Sequence, residues 1–117
     1  MKILFLSEAV SLAHVGRPLV LARWAFENGI EVHFAASAKK LKTSNANTMG
    51  FKTYDLKTID ENVFYDRVNQ GEFFYQIEEL KKYLEQEQSL ILKIKPDLIV
   101  SDFRLTAAIS AELTGIP

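Results

Sequence analysis

The sequence predicts an α/β domain built on a parallel twisted sheet with helices on both faces. Three observations carry that expectation. The runs at 3–6 and 98–100 are apolar without interruption, as strands buried on both sides are. Segments with helical spacing lie between the candidate strands. The resulting order, β-α-β-(α)-β-α-β-α, is the one that gives parallel pairing through right-handed crossovers.

Each element has a local reason. The first strand is expected at 2–7, with a loop over 7–14 behind it. A helix follows from Val15 or Arg17 to Asn28, with Pro18 in its first turn, where a missing N–H costs nothing. Val15, Leu19, Ala22 and Phe26 share one face, and Gly29 suits the position after the helix. The second strand is expected at 30–36. The polar stretch 37–47, with Lys39, Lys40 and Lys42, has room for a short helix. Gly50 precedes a third strand at 51–55, and 57–71 reads as a mobile connection.

A long helix is expected over 72–94. Phe73, Ile77, Leu80, Leu84 and Ile91 form its apolar stripe, while Glu78, Lys81, Lys82, Glu85 and Glu87 fill its other faces. Pro96 ends it. The fourth strand falls at 97–101, and an Ala-rich helix over 104–114 stops at Gly115. Ile116 and Pro117 stand where another strand would begin, so residues 1–117 are expected to be a single domain of a larger, two-domain protein.

Composition narrows the function classes. A hydrophobic share of 48% with 25% charged residues is that of a packed domain, which excludes disorder. There is no cysteine, hence no disulfide scaffold. The formal net charge of −1 argues against a phosphate backbone as partner. Residues 1–58 carry eight basic against four acidic side chains, but without interleaved aromatics this is a weak nucleic-acid footprint. No apolar run approaches the roughly 18–20 residues of a membrane span, and no signal peptide is evident. The cytoplasm is the expected compartment.

In a doubly wound sheet, ligands bind beyond the carboxyl ends of the strands, where the strand order reverses. With the order 3-2-1-4, the first and fourth strands flank that crevice. His14 and Asp102 then share one edge of the sheet. Two readings follow. A His beside a carboxylate is the minimal general-base pair, since the imidazole accepts a hydroxyl proton and the carboxylate fixes its tautomer. Alternatively, His14 is a solvated loop residue and Asp102 caps the helix beginning near Arg104. His33, inside the second strand, reads as a satisfied structural histidine.

Other site types lack their residues. No G-x-G-x-x-G follows the first strand, and no P-loop is present. Two histidines without cysteine make a poor zinc site, and no Asp-x-Asp offers a divalent metal a seat. Glu8 and Ser11, on the loop leaving the first strand, and the aromatics Phe73 and Phe74 are candidate ligand-contacting residues; helix core is the competing reading for the aromatics.

Two stretches resemble the N-terminal half of GT-B glycosyltransferases, the family of the UDP-glucuronosyl/glucosyltransferases and the macrolide glycosyltransferases. One runs through residues 1–6, His14-Val15-Gly16-Arg17-Pro18-Leu19, Leu21-Ala22-Arg23 and 28–32; the other covers 95–103 and closes with 111–117. The resemblance implies a Rossmann-like half of a GT-B fold and transfer of a sugar from a nucleotide-sugar to a small-molecule hydroxyl, with inversion. It implies His14 as the base and Asp102 as the carboxylate that orients it, with no metal and no bound cofactor. It would make Glu8, Ser11, Phe73 and Phe74 acceptor-binding. The nucleotide-sugar would be a co-substrate held mainly by an absent C-terminal domain. The fragment is therefore expected to be catalytically silent and to self-associate through its uncovered sheet edge. The competing classes are a non-catalytic α/β binding or regulatory domain of flavodoxin or receiver type, and half of a GT-B-fold sugar-nucleotide epimerase. A receiver would want an acidic cluster after the first strand, where only Glu8 stands.

Overall fold

A computed structural model describes residues 1–117. Four strands, β1 (Lys2–Ser7), β2 (Glu31–Ala36), β3 (Lys52–Asp55) and β4 (Leu98–Asp102), form one sheet in the order β3-β2-β1-β4. Every pairing is parallel, with Phe5 opposite Phe34 on one side and Val100 on the other. The carboxyl ends of all four strands therefore share one edge, and the order reverses between β1 and β4.

Helices cover both faces. Against one lies α1 (Ala13–Glu27), whose Val15, Leu19, Ala22 and Ala25 pack on Ile3, Phe5, Val32 and Phe34. On this side too sit α2 (Ala38–Thr43), through Leu41, and Phe51. Against the other face lie α4 (Ile77–Ile94) and α5 (Ala107–Thr114), where Ile91, Ile94 and Ala107 meet Leu4, Leu6 and Ala35. The alternating side chains of β1 thus feed two cores, as a strand buried on both faces must. No helix is long and apolar enough to cross a membrane.

Four expectations are corrected. Residues 57–71 are not a featureless connection, for they hold α3 (Glu61–Asn69). Asp60 caps it by accepting from the Asn62 N–H, and the buried Phe64 anchors it. The long helix begins at Ile77 rather than at 72. A capping box between Gln76 and Glu79 starts it there, and Arg67 Nη1 donates to the Phe74 carbonyl, holding the preceding loop outside the helix. Its buried face is Tyr83, Glu87, Ile91 and Ile94, whereas Phe73 and Ile77 are exposed. Finally, α1 starts at Ala13, which places Pro18 inside the helix and leaves the His14 carbonyl without its i+4 donor.

Candidate functional site

Two strand ends and one helix start converge at the reversal point. The turn after β1 is pinned to β4 by the Glu8 N–H, which donates to the Asp102 carbonyl at 3.1 Å. The opening turn of α1 then carries His14 over the end of β4. His14 Nδ1 lies 3.0 Å from Asp102 Oδ1, although the two residues are 88 positions apart. Both side chains are partly covered, at 24% and 18% exposure, so the pair is sheltered yet reachable. Phe103 stacks on the imidazole with ring centroids 4.7 Å apart. Its left-handed backbone, φ 57°, turns that ring onto His14.

The capping alternative for Asp102 does not hold. The last helix begins at Ala107, after Thr106, and Asp102 gives its oxygens to α1 instead. Arg17, three residues along α1, donates to both of them: Nε to Oδ2 at 3.1 Å and Nη2 to Oδ1 at 3.0 Å. The same Nη2 lies 3.1 Å from His14 Nδ1. Sequence reasoning passed over Arg17, though an i,i+3 spacing from a site residue on a helix was the available signal.

Behind this surface triad lies a buried charged network. Arg104 is sandwiched between Glu87, with Nε donating to Oε1 at 2.6 Å, and Glu8, whose Oε1 is 3.6 Å from Nη1. All three side chains are fully buried. The guanidinium stacks on the Tyr83 ring at 3.6 Å and donates to the Lys57 carbonyl. Glu87 also accepts from Thr106 and Ser110, and Glu8 accepts from the Tyr75 hydroxyl at 2.7 Å. Burial, and after it the Glu8 carboxylate, drives the Tyr75 and Tyr83 phenols far above their ordinary range.

The remaining sequence candidates divide. Glu8, expected to touch an acceptor, is enclosed, with both oxygens engaged by Ala9 N–H and Tyr75, so it holds the turn from within. Glu87, expected away from the apolar stripe of the long helix, is the acceptor hub of the core network. Ser11 sits half-buried on the turn between β1 and α1. Phe74 joins the aromatic wall through Phe64, and its ring is 6.5 Å from Phe103. Phe73 is 92% exposed at the rim of an apolar hollow of about 250 Å³, shared with Phe74, Leu80, Leu105 and Ile109. His33 is satisfied within the sheet by Glu31 and the Tyr54 hydroxyl, each at 2.8 Å. Lys40 is paired with Glu61 at 3.1 Å. No group of three or more His, Asp or Glu side chains converges as a metal site would require.

No family model matches the chain. Curated relatives do. It is 37% identical over 116 residues to the PGL/p-HBAD biosynthesis glycosyltransferase Rv2958c of Mycobacterium tuberculosis, covering 99% of this chain and 27% of that protein. It is 38% identical to a PGL/p-HBAD biosynthesis rhamnosyltransferase of Mycobacterium bovis, covering 99% of this chain and 25% of the relative. The chain resembles glycosyltransferases along its whole length. It spans between a quarter and a third of the length of these relatives, and similar proteins from two strains of Mycobacterium bovis carry the name "inactive". The solved glycosyltransferase VinC, in a complex with DTDP, superimposes with a TM-score of 0.70 at 16% identity, over 100% of this chain and 33% of its own. SsfS6 of Streptomyces sp. SF2575 does so with a TM-score of 0.67 at 24% identity, over 100% of this chain and 38% of its own. At these identities the likeness is one of fold, and that fold is a Rossmann-like half of a GT-B glycosyltransferase.

Proposed function

We propose that this domain is the acceptor-binding half of an inverting, nucleotide-sugar-dependent glycosyltransferase, with His14 as general base and Asp102 as the carboxylate that orients it. The observation that carries the reading is the 3.0 Å pairing of His14 Nδ1 with Asp102 Oδ1 at the strand-order reversal. With Nδ1–H donated to Asp102, Nε2 presents its lone pair to an acceptor hydroxyl. As the acceptor oxygen forms its bond to the anomeric carbon, the proton passes to Nε2. The bond from that carbon to the leaving phosphate oxygen breaks, and its electron pair departs with the nucleoside diphosphate. Asp102 stabilises the imidazolium that results.

The apolar hollow bordered by Phe73 and Phe74 suits the hydrophobic part of a small-molecule acceptor. The donor is held mainly by a second domain outside these residues. Fixed orientation of two reactants supplies roughly 7–11 kcal/mol of such a barrier, so residues 1–117 alone transfer no sugar. In the full-length protein, His14→Ala lowers turnover by roughly 10²–10⁴-fold, and Asp102→Asn lowers it with little loss of stability. Wild-type turnover in both variants would refute the assignment of His14 as base and Asp102 as its orienting carboxylate.

A further inference from the structure

One hydrogen bond does not orient a ring. The imidazole of His14 turns about χ1 and χ2, and a single distance of 3.0 Å from Nδ1 to Asp102 Oδ1 leaves one combination of these torsions free. A second contact, on the face of the ring, removes that freedom. Phe103 supplies it: the two rings stack with centroids 4.7 Å apart at an interplanar angle of 16°. Phe103 is braced in turn by Phe64 of α3, edge-on at 5.9 Å and 84°, and by Phe74 at 6.5 Å.

The backbone gives a second, independent reason to single out this residue. A φ of 57° lies in the left-handed region, which a bulky side chain disfavours and glycine occupies freely. The other non-glycine residues with positive φ, Asn45 and Lys95, follow the ends of α2 and α4, where such backbone closes a helix. Phe103 follows a strand, so no helix end accounts for it. Strain of this kind gathers at working sites, where the surrounding structure holds it in place. Here the strained turn delivers a phenyl ring to the face of His14.

We propose that Phe103 is a positioning residue for His14. Asp102 and Phe103, adjacent in the chain, form a corner in which the imidazole seats, with the carboxylate against its edge and the phenyl ring against its face. With both torsions fixed, Nε2 points one way, toward the acceptor hydroxyl. The inference rests on the reading of His14 as base, since the direction of Nε2 matters only if it takes a proton.

NMR of the histidine-labelled chain, without substrate, tests this. Three-bond couplings give the ratio of docked to undocked His14 rotamers, and the Nδ1–H signal reports the bond to Asp102. The wild type is expected to show one dominant rotamer. Phe103→Leu and Phe103→Gly are expected to lower the docked-to-undocked ratio about two- to tenfold, the worth of one aromatic pair, and to weaken the Nδ1–H signal. Phe103→Tyr keeps the ring and is expected to keep the wild-type ratio. Leucine retains most of the volume and glycine relieves the backbone strain, so the two variants share no common reason to unfold. His33, held by Glu31 and Tyr54, is the internal control and stays unchanged. A ratio unchanged in both variants that lack the ring, or one lowered as far in Phe103→Tyr, overturns the role of Phe103. Because the readout is the ring and not turnover, such a failure leaves the role of His14 standing. Wild-type turnover in His14→Ala would instead sink the base while the rotamer shift persisted, so the two failures are told apart.

Discussion

Removing the charge of Glu87 is expected to destabilise the domain more than removing that of Glu8, although both carboxylates flank the same buried guanidinium. Geometry decides the asymmetry. Glu87 receives three buried donors, from Arg104, Thr106 and Ser110, and its contact with Arg104 Nε is 2.6 Å. Glu8 stands 3.6 Å from Arg104, and its other partners are the Tyr75 hydroxyl and the Ala9 N–H. In Glu87→Gln the amide keeps one accepting oxygen and turns an NH₂ group toward donors. Breaking a buried ion pair from one side costs about 3–5 kcal/mol. In Glu8→Gln the close Arg104–Glu87 pair survives and about one charge-assisted hydrogen bond is lost, worth about 1.5–3 kcal/mol. A domain of this kind has about 5–15 kcal/mol in total, so the first variant loses a large fraction and the second a smaller one. Urea unfolding followed by circular dichroism reads the difference. With a slope of about 2 kcal/mol per molar, Glu87→Gln lowers the midpoint by about 2 M at unchanged slope. A midpoint for Glu8→Gln at or below that of Glu87→Gln would refute the assignment of Glu87 as the hub.

Two further outcomes are expected. Arg67 donates to both oxygens of Glu79 at 2.7 and 2.9 Å, and this hydrogen bonding above all holds the Glu79 carboxyl below its ordinary value. A lowered folded value means stability that is present above the ordinary carboxylate range and lost as pH falls through the folded one. The melting temperature of Glu79→Gln should therefore trail the wild type by a few degrees at neutral pH, with the gap closing below about pH 4 in thermal melts across pH. Gly50 has φ 92°, and a Cβ built there would stand 3.0 Å from Cε1 and 3.1 Å from Cζ of the Phe26 ring. Gly50→Ala should cost at least about 1–2 kcal/mol in urea unfolding, from the left-handed backbone alone.

The strands were legible because burial on both faces leaves an uninterrupted apolar run, and 3–6 and 98–100 carry one each. Alternation with helices predicted the parallel pairing; the order β3-β2-β1-β4, only a supposition at the level of sequence, is what places His14 and Asp102 at a shared edge. What the sequence hid was set by partners far along the chain. Nothing local marks Glu87 as buried, because its counter-charge is Arg104, 17 residues on. The start of α4 is the exception, since the Gln76–Glu79 capping box that sets it lies within three residues and was overlooked, while Arg67 reaches across to the Phe74 carbonyl. The helix α3 escaped because its hydrophobes spread around it: Phe64 is buried, while Val63, Tyr65 and Val68 are exposed.

The left-handed turn at Phe103 has a mechanical consequence. Asp102 and Arg104 stand on either side of it, and two peptide units span about 7 Å at most. Arg104 is clamped in the core by Glu87, Tyr83 and the Lys57 carbonyl, so the chain has no slack by which the Asp102 carboxylate could wander. The opposite bank is looser. His14 and Arg17 ride on the opening turns of a helix whose ladder is missing the bond that Pro18 cannot make. In any rearrangement of this cleft, Asp102 is the anvil, and the imidazole and guanidinium are the parts that travel.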